Sequence, residues 1–320
     1  MNASAQVIPS QARRRRAGGM ARREAIEGYL FILPWIVGLI VFTAGPFLAG
    51  FLLSFTDYSA LQAPNWTGLQ NYVKVFHDQN FYLSIFNTLY YVVLSVPLGM
   101  VIGFGLALLL NQKIPGIAFF RTAFYMPSIV PAVPSIMLFL WILNDRFGLL
   151  NGFLSSIGIS GPDWLTSPSW TKPSLVIWSL WQVGGSMIIY LAGLQSVPQE
   201  LYEAASIDGA GAGRKFWHVT IPMISPTIFF VLTIGIISSF QVFTAAFLLG
   251  SGNYGMPGAG PLNSLLFWVL NIYQQGFYFY RFGYASALAW LLFVVIMLVT
   301  LVQLALARRW VYYEAETPGR

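Results

Sequence analysis

Glu200-Leu-Tyr-Glu203-Ala204-Ala205-Ser-Ile-Asp208-Gly209-Ala210-Gly-Ala-Gly-Arg214-Lys-Phe-Trp-His-Val219-Thr-Ile221-Pro222 is a short polar interval between two long stretches without Asp, Glu, Lys or Arg. Its acids lie in the first turn of an amphipathic segment, which predicts a short helix from Gln199 to about Ile207. An Asp208-Gly209 turn follows, then a second amphipathic stretch ending at Ile221-Pro222, where the next apolar segment opens. The glycines at 209, 211 and 213 permit a sharp reversal and close approach of another backbone. A short helix laid across the ends of two apolar segments can act as a lever, because a partner that pushes on it moves both.

The flanking stretches set the class of the chain. Of 320 residues, 57% are hydrophobic, 17% aromatic and only 9% charged, where an ordinary soluble domain carries about 25% charged residues. The mean hydropathy of +0.66 agrees, and a polytopic membrane protein is the class that fits. The net charge of +6 is concentrated: six of the 17 Lys and Arg, at positions 13–16, 22 and 23, precede the first apolar segment. That pattern suits anionic headgroups rather than nucleic acid, and the start reads as a disordered basic arm. With no cysteine, disulfides, thiolate metal sites and Cys nucleophiles are excluded.

Charge-free runs of 29 residues (28–56), 34 (79–112), 23 (122–144), 27 (173–199) and 26 (282–307) each hold one membrane-crossing helix, which needs roughly 20 apolar residues. The run between Lys215 and Arg281 is long enough for two. Its second half, however, begins with the Gly/Pro-rich Gly250–Pro261 and is interrupted by Asn271, Gln274 and Gln275. It predicts one span and then a short interfacial or re-entrant helix at 265–270. Six spans put 13 cations on the side of both termini and four (Lys74, Arg146, Lys172 and Arg281) on the other, as the positive-inside rule requires. The expected organisation is a cytoplasmic arm at 1–27, a six-span all-α body at 28–310 and a cytoplasmic tail at 311–320. The spans fall at about 29–56, 84–111, 121–144, 174–195, 221–249 and 283–306, and the polar loop at 199–222.

No span carries an ionisable side chain of the kind that binds a coupling ion or relays a proton. The two histidines, His77 and His218, fall in loops, and there is no H-E-x-x-H and no P-loop. The chain has no ATPase site of its own and no enzyme chemistry to offer. Uphill transport would need energy from another subunit. Uncharged polar residues are present in the spans: Ser128, Gln182, Ser186, Tyr190, Ser238, Ser239, Gln241 and Thr244, with Trp181 and Phe240 beside them. Hydroxyls and amides beside flat rings suit a neutral polyol. Equally, such groups hold helices together by interhelical hydrogen bonds.

Glu203-Ala204-Ala205, three residues, Gly209, then Val219-Thr-Ile221-Pro222 resembles the EAA motif of binding-protein-dependent ABC importer permeases, with Val219 for Ile and Ile221 for Leu. Tyr29-Leu-Phe-Ile-Leu-Pro34, Leu53-Ser-Phe-Thr-Asp57, Phe120-Arg-Thr-Ala-Phe124 and Ser239-Phe-Gln-Val-Phe243 extend the likeness over roughly 28–310, toward the maltose-permease-like first membrane subunit of the carbohydrate branch. The resemblance implies the ABC type I importer permease fold. It also implies a second homologous permease chain, two ATPase subunits that bind ATP and Mg, and an extracytoplasmic solute-binding protein. It implies that Glu203, Ala204, Ala205, Asp208, Gly209 and Ala210 couple the chain to the ATPase. Ser128, Gln182, Ser186, Ser239 and Gln241 are the positions it places on the sugar path, to which the polar inventory adds Trp181, Tyr190 and Phe240. The family's Gly-Gly-Pro turn after the fifth span is replaced by the longer Gly250–Pro261. A di- or oligosaccharide is the expected cargo. A glycerol phosphodiester, a stand-alone channel or ion-coupled carrier, and a membrane scaffold without transport are the competing readings.

Overall fold

The computed structural model describes residues 14–60, 62–251 and 257–312, with side chains from Arg22 onward. Among these residues the regular structure is helical, apart from two isolated bridges, Thr56 with Trp66 and Ser59 with Gln62. The chain divides into two compact units, Met1–Leu53 and Ser54–Arg320.

The first unit is one helical run, basic at its start and apolar after Glu27: α1 (Arg14–Leu39), a π-helical turn (Ile40–Ala44) and α2 (Gly45–Leu53). The basic arm expected to be disordered is helical from Arg14 onward. Arg, Ala, Met and Glu favour helix, and no proline interrupts the segment before Pro34. Arg23 adds an i,i+4 pair with Glu27 at 2.9 Å.

The second unit is built on α4 (Gln79–Leu110), a helix of 32 residues, about 48 Å long. Asp78 caps its start by accepting from the Asn80 amide at 2.9 Å. Arg121 closes its end, donating from Nε and Nη2 to the Leu110 carbonyl at 3.1 and 2.8 Å. Against it pack α8 (Thr171–Trp181), α9 (Gly184–Gln195), α13 (Ser225–Phe240) and α15 (Trp268–Tyr273). At the α4–α9 crossing Gly103 and Ala107 bring the backbones together; a Cβ on Gly103 would stand 2.8 Å from Ser186 Oγ. A last helix, α16 (Phe282–Ala307), packs on α15 and on the amphipathic α3 (Gln70–His77), whose final turn holds His77.

Among the described residues three single helices are long and apolar enough to cross a membrane, Arg22–Leu53, Gln79–Leu110 and Phe282–Ala307, and three bent pairs bring the number to six if each pair is one span. The span expected at 121–144 is α5 (Ile117–Ile129) and α6 (Ala132–Ile142), bent by 98°. Pro131 forces Val130 out of the helical region, to φ −65°, ψ 127°. The span expected at 174–195 is α8 and α9, bent by 44° at Gln182–Val183. The helix expected over 221–249 is α13 and α14 (Thr244–Leu249) with a break at 241–243. It opens at Ser225 rather than Ile221, because α12 (Ile221–Met223) continues the direction of the loop and meets α13 at 63°. A further short helix, α7 (Leu149–Ser156), lies between α6 and α8.

Beyond the fifth span, residues 252–256 of the Gly250–Pro261 loop lie outside the described residues. The part from 257 onward folds inward, with Leu265, Leu266 and Phe267 at most 1% exposed. The short helix expected at 265–270 is α15, starting at Trp268 and leading into a π-helical turn, Gln274–Tyr278. It is buried rather than interfacial. Asn87, itself buried, donates to the carbonyls of Asn263 and Leu266 at 3.0 and 3.1 Å and accepts from Lys172 Nζ at 3.0 Å. Thr88 Oγ1 accepts the Trp268 amide at 3.0 Å, satisfying the first turn of α15.

Candidate functional site

Two places gather the residues that the sequence singles out. The first is the loop. Helix α10 runs Gln199–Ile207, as its acid-first amphipathic pattern predicts. It ends because Gly209 turns to φ +73°. The Gly209 amide donates to the Ser206 carbonyl (3.1 Å) and the Ala210 amide to the Ala205 carbonyl (2.9 Å), which closes the helix terminus. Glu203, Ala204, Asp208 and Gly209 are exposed, and Ala205 and Ala210 are half-buried. The small side chains leave a flat face that another subunit can approach closely. After the turn, α11 (Ala212–Lys215) and a π-helical turn (Phe216–Thr220), which holds His218, lead into α12. Two contacts hold α10 to this returning segment: the Tyr202 and Thr220 hydroxyls at 3.0 Å, and Lys215 Nζ donating to Ser206 Oγ at 2.5 Å.

The second place is a cleft of about 280 Å³ at mid-height of α4, walled by α4, the α8–α9 break and the later half of α13. Gln182, Ser186, Ser238 and Ser239 line it together, and none of its lining residues is charged. Gln182 donates from Nε2 to Ser135 Oγ at 2.8 Å, and Ser95 and Ser239 place their hydroxyls 3.4 Å apart across the α4–α13 seam. Helices do not break at membrane depth unless the freed backbone groups are buried in protein or line a wet cavity. Two breaks, at 182–183 and just past Ser239, border this cleft.

The other expected path residues lie elsewhere. Ser128 turns its hydroxyl to the Tyr125 carbonyl at 2.7 Å. Tyr190 is 1% exposed and edge-on to Phe104 at 5.4 Å. Phe240 is buried against Val92, Trp268 and Leu288. Trp181 packs on Phe139 at 5.1 Å. Gln241 is exposed in the break after α13, and Thr244 is exposed at the start of α14. The cleft also contains Tyr91, Ser95 and Ser179, which the sequence reading did not include. Ser179 was accessible to it: Ser179, Gln182 and Ser186 are spaced i, i+3, i+7, one helical face. Among the described residues no three His, Asp or Glu side chains gather in a metal-binding group.

The contacts within this unit also sort its two ends. Around α10 lie the ends of α4 and α16: Phe216 stacks on Phe104 at 6.1 Å, and the Tyr312 amide donates to Ser225 Oγ at 2.9 Å. At the far end of α4, the Tyr284 hydroxyl donates to Asp78 at 2.8 Å, and Lys172 lies 5.1 Å from the ring centres of both Phe86 and Tyr90.

Comparison with known proteins gives this arrangement relatives. Residues 95–312 match the family described as "Binding-protein-dependent transport system inner membrane component". The "Probable ABC transporter permease protein YesP" of Bacillus subtilis is 36% identical over 297 residues, 92% of this chain and 94% of that protein. The "Trehalose/maltose transport system permease protein MalF" of Thermococcus litoralis is 33% identical over 288 residues, 89% of this chain and 95% of that protein. Among solved structures, a chain of a bacterial ABC transporter involved in the import of the acidic polysaccharide alginate superimposes with a TM-score of 0.80 at 27% identity. That match covers 92% of this chain and 99% of that one.

Proposed function

This chain belongs to the family of binding-protein-dependent transport system inner membrane components, and from that membership we propose that it is one of two permease subunits of an ATP-driven sugar importer. The uncharged cleft forms its share of the path, and α10 is its contact with a cytoplasmic ATPase. The observation that carries the reading is the pairing of the two places. Helix α9, which supplies Ser186 to the cleft, runs directly toward α10, and α13, which supplies Ser238 and Ser239, starts where the returning segment ends. Displacing α10 therefore displaces two walls of the cleft.

The polar groups of the wall, hydroxyls and one amide set among Val96, Met100, Val183 and Val231 without any charge, suit a neutral saccharide, whose hydroxyls both donate and accept. It offers nothing to a phosphate or carboxylate, which charge-assisted bonds to Arg or Lys would recognise. A neutral di- or oligosaccharide is the favoured cargo. The remaining parts are a second permease, two ATPase subunits that bind ATP and Mg, and an extracytoplasmic solute-binding protein. With α10 facing the ATPase, both termini are cytoplasmic.

The test is tagged purification in mild detergent, followed by reconstitution of what co-purifies with its binding protein in vesicles. A second permease and an ATPase in stoichiometric amount are expected, with ATP-dependent uptake of a neutral oligosaccharide but not of a uronate oligomer or glycerol phosphodiester. A stable homo-oligomer with no ATPase overturns the reading.

A further inference from the structure

Tyr190, expected on the sugar path, is buried outside the lining of the cleft. Its ring lies edge-on to Phe104 of α4 at 5.4 Å and 61°, and Phe104 is stacked on Phe216 at 6.1 Å and 29°. Phe216 is the first residue of the π-helical turn that returns from α10, and Thr220, the last residue of that turn, is bound to Tyr202 of α10. At Gly103, the neighbour of Phe104, α4 comes so close to α9 that a Cβ would stand 2.8 Å from Oγ of the cleft residue Ser186 and 3.7 Å from the Met187 amide nitrogen. An unbroken line of contacts thus leads from α10 through Tyr202–Thr220, Phe216, Phe104 and Gly103 to the cleft wall, with Tyr190 fixing Phe104 from the α9 side.

We infer that Phe216, Phe104 and Tyr190, with the Tyr202–Thr220 hydroxyl pair, are positioning residues that transmit displacement of α10 to the cleft. The inference rests on the importer reading and adds the route by which that reading works. Covalent connection carries motion from α10 to α9 but is the weaker route to α13. Between α10 and α13 the chain passes four exposed glycine or alanine positions and a 63° bend at Ile224, each of which can absorb motion. Close-packed rings do not, because packed interiors have low compressibility and pass strain on. Phe216 reaches α4 directly, so α4 and α9, both cleft walls, are driven together rather than through the bend.

The absence of native cysteine makes a clean reporter possible. Ser239→Cys is the only thiol in such a chain, and its reaction rate with a charged, membrane-impermeant maleimide measures how open the cleft is. The full complex with partner permease, ATPase subunits and binding protein is assayed in vesicles, with and without ATP and vanadate, while ATP hydrolysis is followed in parallel. In the parent complex ATP should change the rate by about tenfold or more, in the range of ordinary coupling between sites. Phe216→Ala and Phe104→Ala should abolish that change while hydrolysis stays within about twofold of the parent. The double variant should be no worse than either single one, because both interrupt one line. Phe216→Tyr, which keeps the ring, should restore the response. Tyr202→Phe, which removes one hydroxyl and cannot unfold the chain, should lower it by about threefold.

Alanine variants with the parental response overturn the inference and leave the importer reading standing. So does a parallel loss of response, hydrolysis and assembly alongside a normal Tyr202→Phe, since the rings then only pack. A parent complex that hydrolyses ATP without any change at position 239 overturns the importer reading, and this route with it.

Discussion

Gly209 ends α10 at φ +73°, with nothing within 4 Å of where a Cβ would stand, whereas Gly184 at the start of α9 has no such backbone demand and no space at all. A Cβ there would lie 2.5 Å from the Phe124 carbonyl oxygen and 2.9 Å from Tyr125 Cα. The two residues are glycine for opposite reasons, and their variants should fail differently. Gly209→Ala places an L side chain in the left-handed region at about 1–2 kcal/mol, a cost confined to an exposed turn. Gly209→Pro cannot adopt the turn, because proline fixes φ near −65°. Both should insert and assemble normally yet lose uptake per ATP hydrolysed, Gly209→Pro entirely; wild-type uptake by Gly209→Pro would remove the coupling role of this turn. Gly184→Ala meets backbone atoms that cannot move aside, so overpacking of about 1–3 kcal/mol should appear as a lower unfolding temperature in detergent. A parental melting curve would show that α5 and α9 separate more readily than their contact implies.

At the scale of elements, Asn87 holds the segment 263–268 against α4 and α8 with both amide hydrogens and its oxygen engaged. Asn87→Leu keeps the volume but strands one buried and one half-buried carbonyl and the Lys172 ammonium, each unmet group costing about 1–3 kcal/mol. The expected outcome is faster proteolysis within 257–267 and lower thermal stability, with ATP hydrolysis by the assembled complex intact; unchanged protease sensitivity would argue against the tie. Elements also mark what the sequence made legible. Helix α10 was readable to its last residue because local rules make it: acids in the first turn, an amphipathic face and an Asp-Gly stop. The bend at Val130–Pro131 was written in the sequence as a proline. The break at 182–183 stands just before Gly184-Gly185, a pair that weakens a helix, whereas 241–243, Gln-Val-Phe, has no glycine or proline to announce it. The path residues divided on the same line. Ser179, Gln182 and Ser186 share a face visible from spacing. Tyr190 and Phe240 face away from the cleft because bulky neighbours, Phe104 for the one and Trp268 for the other, are there to receive them.

At the scale of the whole molecule, the charged positions sort along α4. Arg121, Lys215 and the segment leading to Tyr312 gather near its Leu110 end, and Lys172, Asp78 and Arg281 near its start. The positive-inside rule turns that separation into an expectation of sidedness that labelling can test. With no native cysteine, single substitutions report sidedness directly: in intact cells Asp163→Cys should react with an impermeant maleimide, and Gly213→Cys only after the membrane is opened. The reverse pattern would invert the topology. The breaks in the three bent pairs carry a consequence for biogenesis. A snapped helix at membrane depth bares amides and carbonyls that hydrocarbon cannot solvate, at several kcal/mol apiece. On the proposed pairing, a chain that has not met its second permease carries those groups uncovered, and its half-life in cells should shorten when that partner is deleted.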